Sequence, residues 1–277
     1  MVKVHPILVQ SPQLEPLLEL WSTSFQEPAE VFSGVWNSVP PNLRWAATAE
    51  QDGQLAASVM VYVLPVAAPD GATLHLAGIA NVSTRPEFRG QGLSSLLLDQ
   101  VVNSLGDLNA DFSVLYTGIP DHYSKHGYVS FSEPQWQITP SHSEGIEPDP
   151  TIDLEKIQSL NSDSLSYLLQ RSDGWWKGVV EPRLVGKLIW THDDAFVIAS
   201  GSRSDLQILE CSPNAASLAQ HVANWSGTPV RSRVPISPSA TPVPNVQEGG
   251  MVLGAKLSTH DAVQLVQNNP YRILDHF

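Results

Sequence analysis

The feature that most constrains this chain is a glycine-broken junction between an apolar strand and an amphipathic helix, centred on Arg89-Gly90-Gln91-Gly92. Residues 73–84 are apolar and small enough to form a strand. Beyond the glycines, Leu93, Leu96, Leu97, Val101 and Leu105 recur on one helical face that ends near Gly106. Glycine lets the backbone come close to a ligand, and the unpaired amides of a helix start point outward, so the junction suits a phosphate. Most short glycine turns only join elements, and this one alone does no more than nominate a site. It carries neither G-x-G-x-x-G nor Gly-Lys-Ser/Thr, so the signatures of dinucleotide and nucleoside triphosphate sites are missing.

The rest of the first half alternates strands and helices. Residues 2–10 read as a short strand, and Leu14, Leu17, Leu18, Trp21 and Phe25 fall at helical spacing behind the start signal Ser11-Pro12. After a loop around Pro40-Pro41, stretches 44–50 and 54–64 flank Asp52-Gly53, a hairpin signature. Residues 111–117 read as a further strand, 120–126 as a short helix and 128–138 as another strand. Residues 139–150 are rich in Pro, Ser and Glu, which marks a linker. The expected units are therefore 1–140 and 151–277, with 141–150 between them. In the second unit 152–171 and 181–190 read as helices, 195–200 and 206–211 as a hairpin, and 214–225 as a helix. Pro235, Pro238, Pro242 and Pro244 exclude a central strand from 231–244; a last strand is expected over 250–257 and a short helix from Thr259. No internal repeat is visible in the sequence.

Charge narrows the partners. The formal net charge of -13 creates a field that repels nucleic acid and anionic membrane and draws in cations. An amine is a natural partner for such a surface, whereas a polyanionic ligand must be held by local amides and a few basic side chains. No window reaches the apolar length that spans a bilayer and nothing near residue 1 reads as a secretory leader, so a cytoplasmic protein is expected. Cys211 is the only cysteine, which excludes an internal disulfide and a cysteine-cluster metal site and fits a reducing compartment. His192-Asp193-Asp194 resembles a metal cluster only superficially, since a surface turn entering a strand explains it as well, and Trp175-Trp176 fits core or interface. No metal is expected.

The string Val82-Ser83-Thr84-Arg85-Pro86-Glu87-Phe88-Arg89-Gly90-Gln91-Gly92-Leu93-Ser94-Ser95, followed downstream by His122-Tyr123-Ser124-Lys125-His126-Gly127-Tyr128, resembles the GNAT superfamily of acetyl-coenzyme A-dependent N-acyltransferases. In that family a strand runs into a Pro-x-x-Arg-Gly-x-Gly turn and a later Tyr-x-x-x-Gly-Phe/Tyr segment closes the fold; both stand here in the same order. The resemblance implies an α/β (α+β) fold, a mixed and mainly antiparallel twisted sheet flanked by helices. It also implies acetyl-coenzyme A as cosubstrate and direct attack by the amine on the thioester, with no second cofactor.

By the same resemblance, the backbone of Val82, Ser83 and Thr84 pairs with the pantetheine arm as an added strand, and the amides of Gly90, Gln91, Gly92, Leu93, Ser94 and Ser95 hold the pyrophosphate. Arg89 steadies the turn or a phosphate, and Ser94 departs from the Gly/Ala that ends the family's pattern. Arg85 and Lys125 are the nearest basic residues, for which a solvated surface role is the simpler reading. Tyr123 is implied as general acid: a phenol of pKa about 10 beside a thiol of about 8.5 keeps its proton at neutral pH and can give it to the departing thiolate. The base is open. Many family members use a strand glutamate near the position of Gly78, but residues 73–84 contain no carboxylate. His75, which shares a strand face with Asn81, then Asp121, His122, the Phe277 carboxylate and water are the candidates.

The two-unit length, the Leu115-Tyr116-Thr117-Gly118 stretch and Gly250-Met251-Val252-Leu253 resemble the enhanced intracellular survival type, in which an active GNAT domain precedes a degenerate one. The first acceptor to consider is a small-molecule amine, aminoglycoside-like or polyamine-like, with a protein lysine or N-terminus behind it. Nucleic acid and membrane partners are not implied, and the use of other acyl-coenzyme A donors and homo-oligomer formation stay open. The rival from another class is a catalytically silent acyl-coenzyme A-binding sensor or structural module, motivated by the missing strand glutamate.

Overall fold

The structure is a computed structural model and describes residues 7–10, 12–68, 71–132, 135–162, 168–169, 173–212, 214–232, 240–243 and 248–268. In chain order the first half runs β1 (Ile7–Gln10), α1 (Leu14–Phe25), α2 (Ala29–Ser38), β2 (Arg44–Gln51), β3 (Gln54–Ala67), β4 (Thr73–Thr84), α3 (Leu93–Ser104), β5 (Phe112–Leu115), α4 (Pro120–Ser124) and β6 (Val129–Ser132). The second half begins with β7 (Gln135–Ile138), α5 (Leu154–Ser162) and β8 (Leu168–Leu169). A helical stretch follows, α6 (Asp173–Trp175), continuing through a π turn (Trp176–Val180) into α7 (Glu181–Arg183). Then come β9 (Leu188–His192), β10 (Ala195–Ser202), β11 (Asp205–Cys211), α8 (Ala216–Ser226), β12 (Val230–Ser232), β13 (Thr241–Val243), β14 (Glu248–Gly254) and α9 (Thr259–Asn268).

These elements build two mixed, mainly antiparallel sheets flanked by helices, the α/β class expected. The first sheet has the order β1-β2-β3-β4-β5-β14-β6, with β8 beside the end of β3 and β4–β5 as its parallel pair. The second has the order β13-β7-β12-β11-β10-β9, with β11–β12 parallel. Asp52 and Gly53 both take positive φ (54° and 74°), the backbone that a two-residue hairpin between β2 and β3 requires.

α3 covers one face of the first sheet, burying Leu93, Leu97, Leu98 and Val101 with Val59, Val61, Ala77 and Ile79. α1 and α2 cover the other face with Leu17, Leu20, Trp21 and Trp36. That second core continues through Trp175, Trp176, Val179 and Val180 to Ile189, Phe196 and Ile198 of the second sheet, so the two sheets share it and the paired tryptophans lie at their junction. α2 and the π turn meet at Gly34 and Gly178, where a Cβ on either residue would overlap the other segment's backbone. α8 covers the far face of the second sheet.

The sheets divide the chain differently from units 1–140 and 151–277. The run over 128–138 holds two strands in different sheets, β6 and β7. From the other end, β14 returns to the first sheet and inserts between β5 and β6, with Ala262 and Val266 of α9 packed over it. Residues 141–150 are strapped to the second sheet rather than free: the Ile146 carbonyl accepts from Trp190 Nε1 at 2.8 Å, the Glu144 carbonyl from His221 Nδ1 at 2.9 Å, and Asp149 from the Thr191 amide at 2.6 Å. α2 (Ala29–Ser38) forms where no local pattern marks an element. Of the helix expected over 152–171, the described helical residues are Leu154–Ser162, residues 163–167 and 170–171 lie outside the described residues, and Leu168–Leu169 instead pairs with β3. The helix expected over 181–190 is only α7; Leu188–His192 is claimed by pairing with β10, a long-range contact that overrides helical spacing. Arg231 and Ser232 belong to β12, a central strand, while Pro242 sits in the edge strand β13 where a missing donor is tolerated.

Candidate active site

The site begins where β4 leaves β5. β4 pairs with β3 along its whole length but with β5 only from Leu76 to Gly78. Beyond Gly78 the edge of β4 that faces β5 has no strand partner among the described residues. Just past that point Ser58 stands opposite Ser83 and Met60 opposite Ala80, so Asn81 and Val82 share one place opposite Val59. This is a β-bulge, with Asn81 at φ 47°, a left-handed conformation asparagine tolerates better than most residues. Bulges end pairing and re-aim side chains, and here the ladder to β5 is already released. Val82, Ser83 and Thr84 therefore offer an open backbone edge, anchored from behind by Ser83 Oγ to Ser58 Oγ at 3.0 Å and by Trp21 Nε1 donating to Ser58 Oγ at 3.0 Å.

That edge runs into a single 3-10 turn, Pro86–Phe88, and then into the glycines. Gly90 and Gly92 have φ of 77° and 76°, with open space on the side where a Cβ would stand. Gly92 caps α3 without a side-chain bond, and the first helical bond is Leu96 N–H to the Gly92 carbonyl at 3.0 Å. The amides of Leu93, Ser94 and Ser95 precede it and are free to take an anion. Both nearby arginines are spent on the protein. Arg89 Nε donates to the Thr84 carbonyl and its Nη2 to the Ser24 carbonyl, each at 3.2 Å, which ties the turn to the end of α1. Arg85 is not a solvated surface residue: it is 7% exposed, donating from Nε to the Leu55 carbonyl at 2.8 Å and from Nη2 to Glu19 Oε1 at 2.9 Å. Lys125 is exposed.

Across the gap, β5 ends at Leu115 and the chain turns through Thr117 into α4, which carries Tyr123. Tyr123 is 7% exposed and lies in the same apolar cluster as Ile79 of β4 and Leu93 of α3. The fold thus gathers the strand edge, the helix start and the phenol around one core. Burial pushes the Tyr123 phenol above its ordinary pKa of 10, against a smaller pull downward from its hydrogen bond with Thr117. Its ring meets Tyr128 edge-on at 6.4 Å between centroids, and Tyr128 is pushed up by burial further still. The Tyr128 hydroxyl donates to Ser113 Oγ at 2.7 Å, which donates in turn to the Ala77 carbonyl at 2.9 Å.

The candidate bases are spread out. His75 stands just before the part of β4 that pairs with β5, its amide donating to Asp111 Oδ2 at 2.7 Å and its Nδ1 3.6 Å from the same oxygen. Asp121 is exposed in the first turn of α4. His122 touches the Tyr123 ring edge-to-face at 5.1 Å; burial, then His126 and Lys125, lower its pKa, so the ring is neutral at pH 7. Phe277 lies outside the described residues. His192 and Asp193, 3.2 Å apart, sit exposed on the turn between β9 and β10, and among the described residues no three His, Cys, Asp or Glu side chains are placed to share a metal ion. Nor is any described helix long and apolar enough to cross a membrane. Sequence reasoning passed over the bulge at Asn81 and the buried pairing of Arg85. An asparagine inside a strand was a signal for the first, while the second joins residues that no local pattern connects.

A model of the acetyltransferase (GNAT) domain matches residues 6–130. Among solved structures, a probable N-acyltransferase of Enterococcus faecalis V583 aligns over 93% of this chain and 74% of its own length, with a TM-score of 0.69 and 18% identity. Eis1 from Mycobacterium abscessus aligns over 90% and 73%, with 0.62 and 12%. A GCN5-related N-acetyltransferase from Anabaena variabilis aligns over 90% and 72%, with 0.58 and 18%. At such identities the likeness is one of fold, and it extends over both sheets. No curated protein matches the sequence. Residues 6–130 are thus similar to a GNAT acetyltransferase domain, and the fold is the one these solved structures share.

Proposed function

We propose that the protein is an N-acetyltransferase that moves the acetyl group of acetyl-coenzyme A to a primary amine of a cationic small molecule, by direct attack and with Tyr123 as general acid. The observation that carries this reading is the open edge of Val82, Ser83 and Thr84 leading into the free amides at the start of α3, with Tyr123 in the same core. Pantetheine is a chain with two amides, so it can join a strand edge as an added strand while the pyrophosphate takes the helix amides. With Arg85 and Arg89 engaged elsewhere, amides and the helix dipole supply the local positive field that a polyanion needs in a protein of net charge -13. The same overall charge favours a cationic acceptor. Because Tyr123 keeps its proton through the neutral range, it can donate to the sulfur as the C–S bond breaks. No carboxylate stands on β4, so the amine's proton passes to water or to neutral His122. The second sheet is read as a degenerate GNAT-like unit of the enhanced intracellular survival type, and a single cysteine, Cys211, suits a reducing, cytoplasmic location.

The test is calorimetric titration with acetyl-coenzyme A alongside thiol release over spermidine, putrescine, kanamycin and a lysine peptide. Wild type and Tyr123→Phe should bind the donor alike, with turnover at least about a hundredfold lower in the variant. Donor binding without turnover on any amine would favour the silent acyl-coenzyme A-binding module; no binding would sink both readings.

A further inference from the structure

Resting on the reading that an amine attacks acetyl-coenzyme A where β4 and β5 part, we propose that Arg44 is a specificity residue that holds a carboxylate of the acceptor, which makes the acceptor a diamino carboxylic acid acetylated on its side-chain amine. Strand register places the residue. Arg44, the first of β2, stands opposite Tyr62 of β3; Tyr62 stands opposite Gly78 of β4, and Gly78 is the last residue of β4 opposite β5. One row across the sheet thus runs from Arg44 to the point where the open edge begins. Residues opposite one another in an antiparallel pair share a face, and Tyr62 belongs to the core under α1 and α2, away from α3 and Tyr123. The glycine turn that suits the pyrophosphate follows Thr84, so a donor laid along Val82, Ser83 and Thr84 directs its thioester the other way, towards Gly78.

Arg44 is held in place but not neutralised. Its guanidinium lies over the Trp36 ring, 4.6 Å from the centroid, and Trp36 is itself buried. Nε is buried with no hydrogen-bond partner among the described residues; the terminal nitrogens are not closed off, and no described carboxylate or carbonyl takes them. Arg85, Arg89, Arg203 and Arg231 differ, each donating to a carbonyl or carboxylate of the protein. Burial pushes the Tyr62 phenol up and keeps it neutral, so it does not cancel the charge opposite. A stacked guanidinium has its plane fixed and presents a fork that matches a carboxylate. In a chain where 28 Asp and Glu outnumber 15 Lys and Arg, an arginine with no acidic partner is open to an anion from outside.

Spacing selects the nitrogen. Two strand spacings, about 10 Å, separate the ends of the row. An α-amine lies beside its carboxylate and falls short of the thioester, whereas an amine at the end of a lysine-length side chain reaches it, with the arginine's own length covering the rest. Such an acceptor keeps a net positive charge, in line with the acidic chain. Its nitrogen bonds to the thioester carbonyl carbon as the C–S bond breaks with its electron pair going to sulfur; the nitrogen gives up one proton and the departing thiolate takes one.

The test compares lysine with lysinamide, in which an amide replaces the carboxylate, and with cadaverine, which lacks it, by thiol release from acetyl-coenzyme A. Wild type should favour lysine over both by at least about tenfold in kcat/KM, and NMR of the product should show the acetyl group on the side-chain nitrogen. The field of the whole protein acting alone predicts the reverse order, since lysinamide and cadaverine are the stronger cations. In Arg44→Gln the KM for lysine should rise about tenfold, while kcat/KM for cadaverine and the Kd for acetyl-coenzyme A stay within about twofold; Arg44→Lys, which keeps the charge but not the fork, should fall between. Use of lysinamide equal to or above that of lysine by wild type would overturn this inference and leave acetyl transfer standing. So would equal losses on lysine and cadaverine in Arg44→Gln, or acetylation on the α-nitrogen alone. No thiol release with any amine would sink the transfer reading and this one together.

Discussion

Laid side by side, β2-β3-β4-α3-β5 and β9-β10-β11-α8-β12 follow one path: three antiparallel strands, a helix, and a fourth strand parallel to the third. Each third strand is even interrupted in a similar way. Asn81 and Val82 share the place opposite Val59, and Leu209 falls between Glu210, opposite Ile198, and Ile208, opposite Ala199. The difference lies in the joint between strand and helix. In the first sheet the joint holds two left-handed glycines with open space beside them. In the second, Ser212 is stitched to β10, its amide donating to the Phe196 carbonyl at 3.1 Å and its Oγ accepting from the Phe196 amide at 3.0 Å. Ala215, 0% exposed, then leads directly into α8. The topology alone supplies a seam; a ligand site also requires a joint whose backbone can stand open to solvent.

The largest effect expected from breaking this comparison comes from ending the chain after Val243. β14 and α9 are then lost, and with them the burial of Met251, Val252, Ala262 and Val266, worth about 1.5–3 kcal/mol for each large side chain. Together that rivals the whole stability of a typical domain, about 5–15 kcal/mol, so the cooperative transition seen by calorimetry should disappear. If the first sheet still melted cooperatively, the two sheets would be separable units after all.

Gly92→Val comes next. A β-branched residue at φ 76° is strained, and it places a side chain where the anion must approach, so the Kd for acetyl-coenzyme A should rise about a hundredfold in titration, roughly two charge-assisted hydrogen bonds. Ala215→Gly in the matching joint should change it by less than about twofold.

A smaller effect is expected at alkaline pH. Burial raises Tyr62, Tyr123 and Tyr128 in the folded chain, so the folded state holds their protons more tightly than the unfolded one. Their contribution is fully present below the unfolded pKa of about 10 and is lost as pH rises through that value towards the folded pKa values. Melting temperature should fall by at least about 5 °C between pH 9 and pH 11, with the phenolate absorbance of these three appearing only as the protein unfolds. The sequence has six tyrosines, so more than three phenolates appearing before any loss of structure would contradict the assignment.

The smallest concerns the strap. A Cβ on Gly145 would overlap the Trp225 backbone, so Gly145→Ala should cost about 1–3 kcal/mol and lower the melting temperature while leaving the acetyl-coenzyme A Kd unchanged.

Local signals located the elements of the site well and their partners poorly. β4, the glycine turn and α3 were legible because each is written in consecutive residues: apolar run, glycines, helical spacing. The β2–β3 and β10–β11 hairpins were legible for the same reason. Illegible were the split of 128–138 between two sheets, the return of β14 to the first, and Leu168–Leu169 beside β3, all of which are choices of partner across long stretches of chain. The single core joining Trp21 and Trp36 to Trp175 and Trp176 was hidden likewise, since burial shows only which residues go inside and not against whom.

What the amino-acid sequence determined, then, was the conformation of individual segments, including a turn that only glycine adopts without strain and a phenol at the right distance along the chain. Whether that turn would open beside an unpaired strand edge, and whether the phenol would lie in the same core as that edge, was decided by tertiary structure. Strand pairing and burial couple residues far apart in sequence, and the second sheet shows the same path assembled with its joint sewn shut.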